Sequence, residues 1–278
     1  MKDAVIRFGS IGVAVVLAVV AGLACASLAS DARGVVPVIP QASVSLSGWV
    51  AVAALWLVAW FVALGVGKAV NTAVGLFAAG CVLGVYAMRS GAVLDAAFDA
   101  TSPTSLAIVS IGYAVLAGLV SWSTFVFAGP LPDMPADPDE LPEHGFGAFQ
   151  PRQLVAALAA VAAVVVVVFM ARTDSKGQAV GAMTLGSMLA AMLARSIRAR
   201  TQPVVVFAAP ALALGIAQLV LSFSSAGSFD ADIVRGLVAP VLRLMPMDIA
   251  AGSLCGVALG YGMTKAGGAD EADEADEA

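Results

Sequence analysis

The stretch AGPLPDMPADPDELPEHGFGAFQPR, Ala128 to Arg152, decides how the rest of the chain is read. It carries Asp133, Asp137, Asp139, Glu140 and Glu143, six prolines and the chain's only histidine, His144. Prolines this dense forbid a long helix, because each one removes a backbone donor and clashes with the turn before it. The polarity of the stretch keeps it out of lipid, where an exposed backbone finds no water to bond. Hydrophobic halves of similar length flank it. It therefore reads as a loop, residues 129–151, between an N-terminal membrane block (1–128) and a C-terminal one (152–264), with residues 265–278 forming an acidic tail.

Both blocks are too apolar for a water-soluble domain. Sixty per cent of the residues are hydrophobic, 12% are charged and the mean hydropathy is +0.96, whereas soluble domains carry about 25% charged residues. The apolar runs come in lengths of roughly 20, enough for a helix to cross about 30 Å of hydrocarbon. A transmembrane barrel would show alternating segments of about ten residues instead. The expected fold is thus an all-α, polytopic transmembrane bundle of about eight spans, or seven if the first is a cleaved signal.

Taken in order, the spans are expected at about Phe8–Leu28, Gly48–Val66, Ala69–Met88, Ser105–Phe127, Gln153–Ala171, Gln178–Ala194, Val204–Phe223 and Met247–Met263. The first follows Lys2 and Arg7, and its apolar run is long for a signal peptide, which favours an uncleaved helix. Two connections look amphipathic and read as short interfacial helices. One places Leu94, Ala97, Phe98 and Thr101 together; the other places Ile233, Val234, Leu237, Val238 and Val241 opposite Asp232, Arg235 and Arg243. Gly80 and Gly84, and the repeat Gly252, Gly256, Gly260, mark faces that another helix can approach closely. Trp56 and Trp60 share one helical face and read as packing or lipid contacts. Similarity between the two halves is thin, limited to GKAV at Gly67–Val70 and GQAV at Gly177–Val180.

Charge sets the expected orientation. Arg195, Arg198 and Arg200 form the densest cationic cluster. Short basic loops stay in the cytoplasm, so both termini and the central loop are expected inside a cytoplasmic membrane. The same arginines are candidates for holding anionic lipid head groups. The formal net charge of −5 comes largely from the six carboxylates of Ala269–Ala278, and a low-complexity run of that kind reads as solvated. No basic patch points to nucleic acid.

Catalysis is the least supported function. Intramembrane chemistry needs ionisable groups at depth, and no expected span has a charge near its middle; Asn71 and Gln218 stand out among scattered serines and threonines. Asp248 and Arg243 form the one charged pair near a span, at poor spacing for a shared helical face. Carboxylates at Asp95, Asp99, Asp230, Asp232 and Asp248 are the residual acid candidates. Cys25, Cys81 and Cys255 fall within spans, where packing is their expected role. Met183, Met188 and Met192 lack partner ligands for soft metals. No cofactor, metal site or enzymatic activity is expected. The leading expectation is a non-catalytic scaffold or complex subunit, with the bilayer and a second copy or another membrane protein as partners; the alternative is a permease for a small solute between the halves, lined by residues such as Asn71, Thr72, Ser187 or Gln218. Arg198→Cys, in a chain whose three native cysteines are replaced by alanine, should react with an impermeant maleimide only from the cytoplasmic face. Labelling from outside would reverse the orientation.

Overall fold

A computed structural model describes residues 2–31, 34–38, 45–131, 158–197, 203–225 and 229–264. Among them the fold is all-helical with no strand. The long helices are α1 (Lys2–Ala29), α2 (Ser45–Ala69), α3 (Thr72–Ala87), α5 (Pro103–Ala128), α6 (Val161–Met170), α7 (Lys176–Ile197), α8 (Pro203–Ser225) and α10 (Pro246–Met263). Two short helices, α4 (Val93–Phe98) and α9 (Phe229–Val234), and a 3-10 turn at Pro240–Arg243 lie between them. Most of the central loop and the acidic tail fall outside the described residues.

Five helices are long and apolar enough to cross a membrane: Gly9–Ala29 within α1, Leu46–Ala69 within α2, α5, α7 and α8. The other three expected spans are helical but fall short of that standard. The described helices α3 and α6 have 16 and 10 residues. The 18-residue α10 includes Pro246, Asp248 and glycines at 252, 256, 260 and 262. Its modest apolarity has a physical reason. Most of its residues are buried against protein, so it needs small side chains for close packing more than large ones for lipid.

α10 is the centre of the bundle, packing on α7, α3, α5 and α8. One apolar core joins α1, α2, α3 and α5 to α10 through Leu55, Leu76, Leu83, Leu254 and Val257. A second joins α6, α7 and α8 to it through Val167, Met183, Leu214 and Ile249. Helices from both sides of the central loop are therefore interleaved, with α5 also lying along α8.

The glycines set these distances. A methyl group at Gly256 would fall 2.1 Å from Thr184 O, and one at Gly260 would fall 2.7 Å from Met188 O. At Gly252 it would meet the Met183 side chain at 2.6 Å. The repeat thus lies along α7, inside the chain. Gly80 of α3 sits as closely on Cys255 and Leu254, while Gly84 is more open, with Ala251 Cβ at 4.0 Å.

One end of the bundle carries a cap. Residues 34–38 bridge to the α3–α4 connection through Gly91 N–H donating to Val36 O at 2.8 Å. α4 packs on α9, and Val38, Val93, Ala96, Phe229, Ile233 and Met245 form a third apolar cluster. The expected amphipathic helices are shorter than their sequence pattern suggested. α9 stops because Gly236 adopts φ 70°, with Gly236 N–H bonding Ile233 O and Leu237 N–H bonding Asp232 O, a left-handed helix stop that suits glycine. The apolar residues then divide: Ile233, Val238 and Val241 are buried, while Val234 and Leu237 stay exposed. In the α4 region Thr101 is buried while Leu94 and Phe98 are exposed.

Gly256→Ala should therefore lower stability by about 1–3 kcal/mol, since backbone must move to admit the methyl group. Gly181→Ala in α7 meets nothing within 4 Å, and should be neutral or stabilising by roughly 0.5–1 kcal/mol. Thermal unfolding in one detergent, comparing the two variants, checks both.

Candidate functional site

The polar chemistry of the bundle is concentrated at the two ends of α10 and at one point along α8. At the start of α10, Lys176 Nζ lies 2.7 Å from Asp248 Oδ1 and 2.9 Å from Oδ2. Asp248 Oδ2 also accepts the Met245 N–H at 3.0 Å. The carboxylate thus caps the first turn of α10, where the helix dipole favours negative charge. The Asp248 side chain is 0% exposed and that of Lys176 only 14%. Charges held this far from water are tolerable only as a pair.

At the far end of α10, Arg195 Nη1 donates to Tyr261 O at 3.1 Å and Thr264 O at 2.7 Å. Its guanidinium sits 4.9 Å over the Tyr261 ring, and that ring stacks on Phe207 at 5.7 Å. A cation bonded to the last carbonyls of a helix satisfies acceptors that have no partner within it and complements its negative end. Lys176 opens α7 and Arg195 lies in its last turn, so the two helices run parallel and one clamps the other. At 1.5 Å per residue the clamps stand about 28 Å apart, close to the thickness of a hydrocarbon core.

Gln218, fully buried in α8, donates to Val241 O at 3.0 Å and Leu244 O at 2.8 Å. It accepts the Ser110 hydroxyl at 2.6 Å. The irregular backbone before α10 is thereby pinned to α8 and α5. Arg243 completes the job from the outside of that segment. Its Nε reaches Val238 O at 3.1 Å, Nη2 reaches Gly236 O at 2.9 Å, and Nη1 reaches Arg172 O and Asp174 Oδ1, each at 3.0 Å. Non-helical backbone at such a position is tolerable because protein groups satisfy its carbonyls.

The residues singled out in the sequence are distributed differently from expectation. Asp248 is paired, but with Lys176; Arg243 is paired, but with Asp174. Nothing local could have revealed Lys176, which opens α7 far from Asp248 in sequence. Asn71 accepts Val74 N–H at 2.8 Å as the cap of α3, and Thr72 donates to Gly129 O at 2.6 Å. Ser187 is buried beside Gly256. Asp95 accepts Ala92 N–H at 2.8 Å, capping α4, and Asp230 is exposed on α9. Of the arginine cluster, Arg195 is 6% exposed and occupied by α10, while Arg198 and Arg200 lie outside the described residues, as does His144. Met183 is packed under Gly252. No group of three or more His, Cys, Asp or Glu side chains that could hold a metal occurs among the described residues.

Two apolar grooves open on the flank of the bundle. One, of about 620 Å³, lies between α2 and α5 and is lined by Trp49, Trp56, Trp60, Tyr113 and Leu116 among others. Trp56 packs edge-on against Tyr113 at 5.7 Å, and Trp60 Nε1 donates to Ser123 Oγ at 2.8 Å. The other, of about 530 Å³, lies between α1 and α2 against Val13, Leu17 and Phe61. Asn71, Thr72, Ser187 and Gln218 line neither. Comparison with protein-family models, curated proteins and solved structures finds no match to this chain.

Asp248→Ala leaves the Lys176 ammonium without its counter-charge and should cost about 3–5 kcal/mol. The double variant Lys176→Met with Asp248→Leu should lose less than either single change. A double-mutant cycle on thermal unfolding checks this; additive losses would mean that the pair is not coupled.

Proposed function

We propose that this protein is a multi-pass protein of the cytoplasmic membrane that acts as a non-catalytic scaffold or subunit of a membrane assembly, with about eight spans and both termini inside. The observation that supports this is the use made of the buried polar groups. Gln218, Lys176, Asp248 and Arg195 are each bonded to other parts of the same chain. A solute pathway needs polar groups turned toward a passage, and a membrane enzyme needs them turned toward a substrate; here they are spent on holding helices together.

The orientation follows from where the cations lie in the chain. Lys176 and Arg243, on the side assigned to the exterior, each pair with a carboxylate. What favours this orientation is the sequence cluster Arg195, Arg198 and Arg200 at the opposite end, because a short, densely basic loop resists translocation. The surface left for partners is the apolar flank of α1, α2 and α5, together with the acidic loop and tail in the sequence. The glycine repeat is taken up by α7 and is not part of that surface.

Purification of the full chain from its native membrane, in mild detergent after crosslinking, tests the proposal. Stoichiometric partners are expected, with a soluble one lost when residues 265–278 are deleted. A homogeneous monomer or homo-oligomer without partners, combined with solute uptake that depends on the protein, would overturn the scaffold in favour of a permease.

A further inference from the structure

All four tryptophans of the chain line one apolar trough, the groove of about 620 Å³ between α2 and α5. Interfacial tryptophans mark helix ends at the two membrane surfaces. Trp49, near the start of α2, stands in such a place, but Trp56 and Trp60 lie about 17 and 23 Å along the axis from Ser45, the first residue of α2. Their depth has another reason. Trp56, Tyr113 and Val120 form a buried floor, while Trp49 and Leu57 on α2 and Leu116 and Leu119 on α5 stand exposed as rims. Trp56 packs edge-on against Tyr113 at 5.7 Å and Trp60 Nε1 donates to Ser123 Oγ at 2.8 Å. These contacts tie the helices at the floor and hold the rims apart, so the trough cannot collapse.

The trough selects its occupant by surroundings, length and width. Only 50% of the apolar window of α2 and 44% of that of α5 are inside the bundle; the rest faces lipid, and the trough opens onto that face between its leucine rims. The bilayer is therefore continuous with it, and its lining holds no charged side chain to recognise a water-soluble ligand. From Trp49 to Trp60 it runs about 17 Å, close to half of the roughly 30 Å hydrocarbon thickness, which is the reach of a chain from one leaflet. Its volume over that length gives a mean section of about 36 Å², too narrow for a helix about 10 Å across. Trp49, 47% exposed, sits at the mouth, at the level where an indole ring meets both hydrocarbon and the polar ester groups.

We infer that the trough between α2 and α5 is a binding site for one acyl chain of a membrane phospholipid, entering from the leaflet at the N-terminal end of α2. The site presupposes the membrane-spanning arrangement proposed above but not the scaffold role. The chain lies along Trp56 and Tyr113 and covers a floor that would otherwise face a void between the two helices, where the lining atoms would lose their dispersion contacts.

The test uses the full chain carrying Trp49→Phe, Trp60→Phe and Trp122→Phe, which keeps Trp56 as its single tryptophan. It is reconstituted into nanodiscs of dioleoylphosphatidylcholine containing increasing fractions of the same lipid brominated at its double bonds, whose bromines quench tryptophan on contact. Co-elution of the chain with the discs checks membrane insertion separately. Trp56 emission is expected to fall in a straight line with the brominated fraction, because one lipid at a time occupies the trough, and to lose most of its intensity in fully brominated discs. Adding Ala53→Phe, at an exposed lining position, fills the trough and should remove most of that loss. The same Ala53→Phe comparison in the wild-type chain, whose tryptophans all line the trough, needs none of the other substitutions. Trp56 emission unchanged by brominated lipid would overturn the inference, since protein would then cover the trough. So would quenching that Ala53→Phe leaves intact, which is the mark of contact with bulk lipid alone.

Discussion

The bundle depends on the hold that α7 keeps on both ends of α10. Two parallel helices side by side gain nothing from their dipoles, and α10 presents small side chains with little apolar area. Close contact along Gly252, Gly256 and Gly260 supplies dispersion over the length of the pair. The Lys176–Asp248 pair and the Arg195 cap supply register at the two ends. A slip of one turn along the axis would separate Asp248 from Lys176 and Arg195 from Thr264 together. Polar side chains in a membrane protein specify geometry in this way because an unpaired one is so costly.

The same economy explains the irregular segment before α10. Between Gly236 and Met245 the chain makes little helix, yet Val241, Leu242, Leu244 and Met245 are buried. Gln218 and Arg243 take up its carbonyls from two directions. One polar residue of α8 and one of the segment itself therefore replace the hydrogen bonds that a continuous helix would have made internally. The cap formed with residues 34–38, α4 and α9 follows, since those short pieces pack on a platform that is already fixed.

Much of the helical framework was legible from residue patterns. Long apolar runs and their proline and charged boundaries are local signals, and five of the runs are observed as helices long and apolar enough to cross a membrane. The amphipathic stretches were legible only in part. Periodicity showed which residues are apolar in the 229–243 region, but Gly236 turns the chain and sends Ile233 and Val238 inward while Val234 and Leu237 face out. The candidate site was the least legible. Arg195 read as part of a basic loop and proved to be a helix cap; Lys176 read as a turn residue and proved to be the partner of Asp248.

What the sequence determined by itself is the solvent each segment prefers and where helices must break, because hydrophobicity and proline act within a few residues of themselves. What only the tertiary structure decided is the partner of each polar group and the position of α10 at the centre. Those depend on which helices become neighbours, and the pairings Lys176–Asp248 and Gln218 with Ser110, Val241 and Leu244 join different parts of the chain. A charge carries no mark of the partner that will neutralise it until packing removes the water that served both.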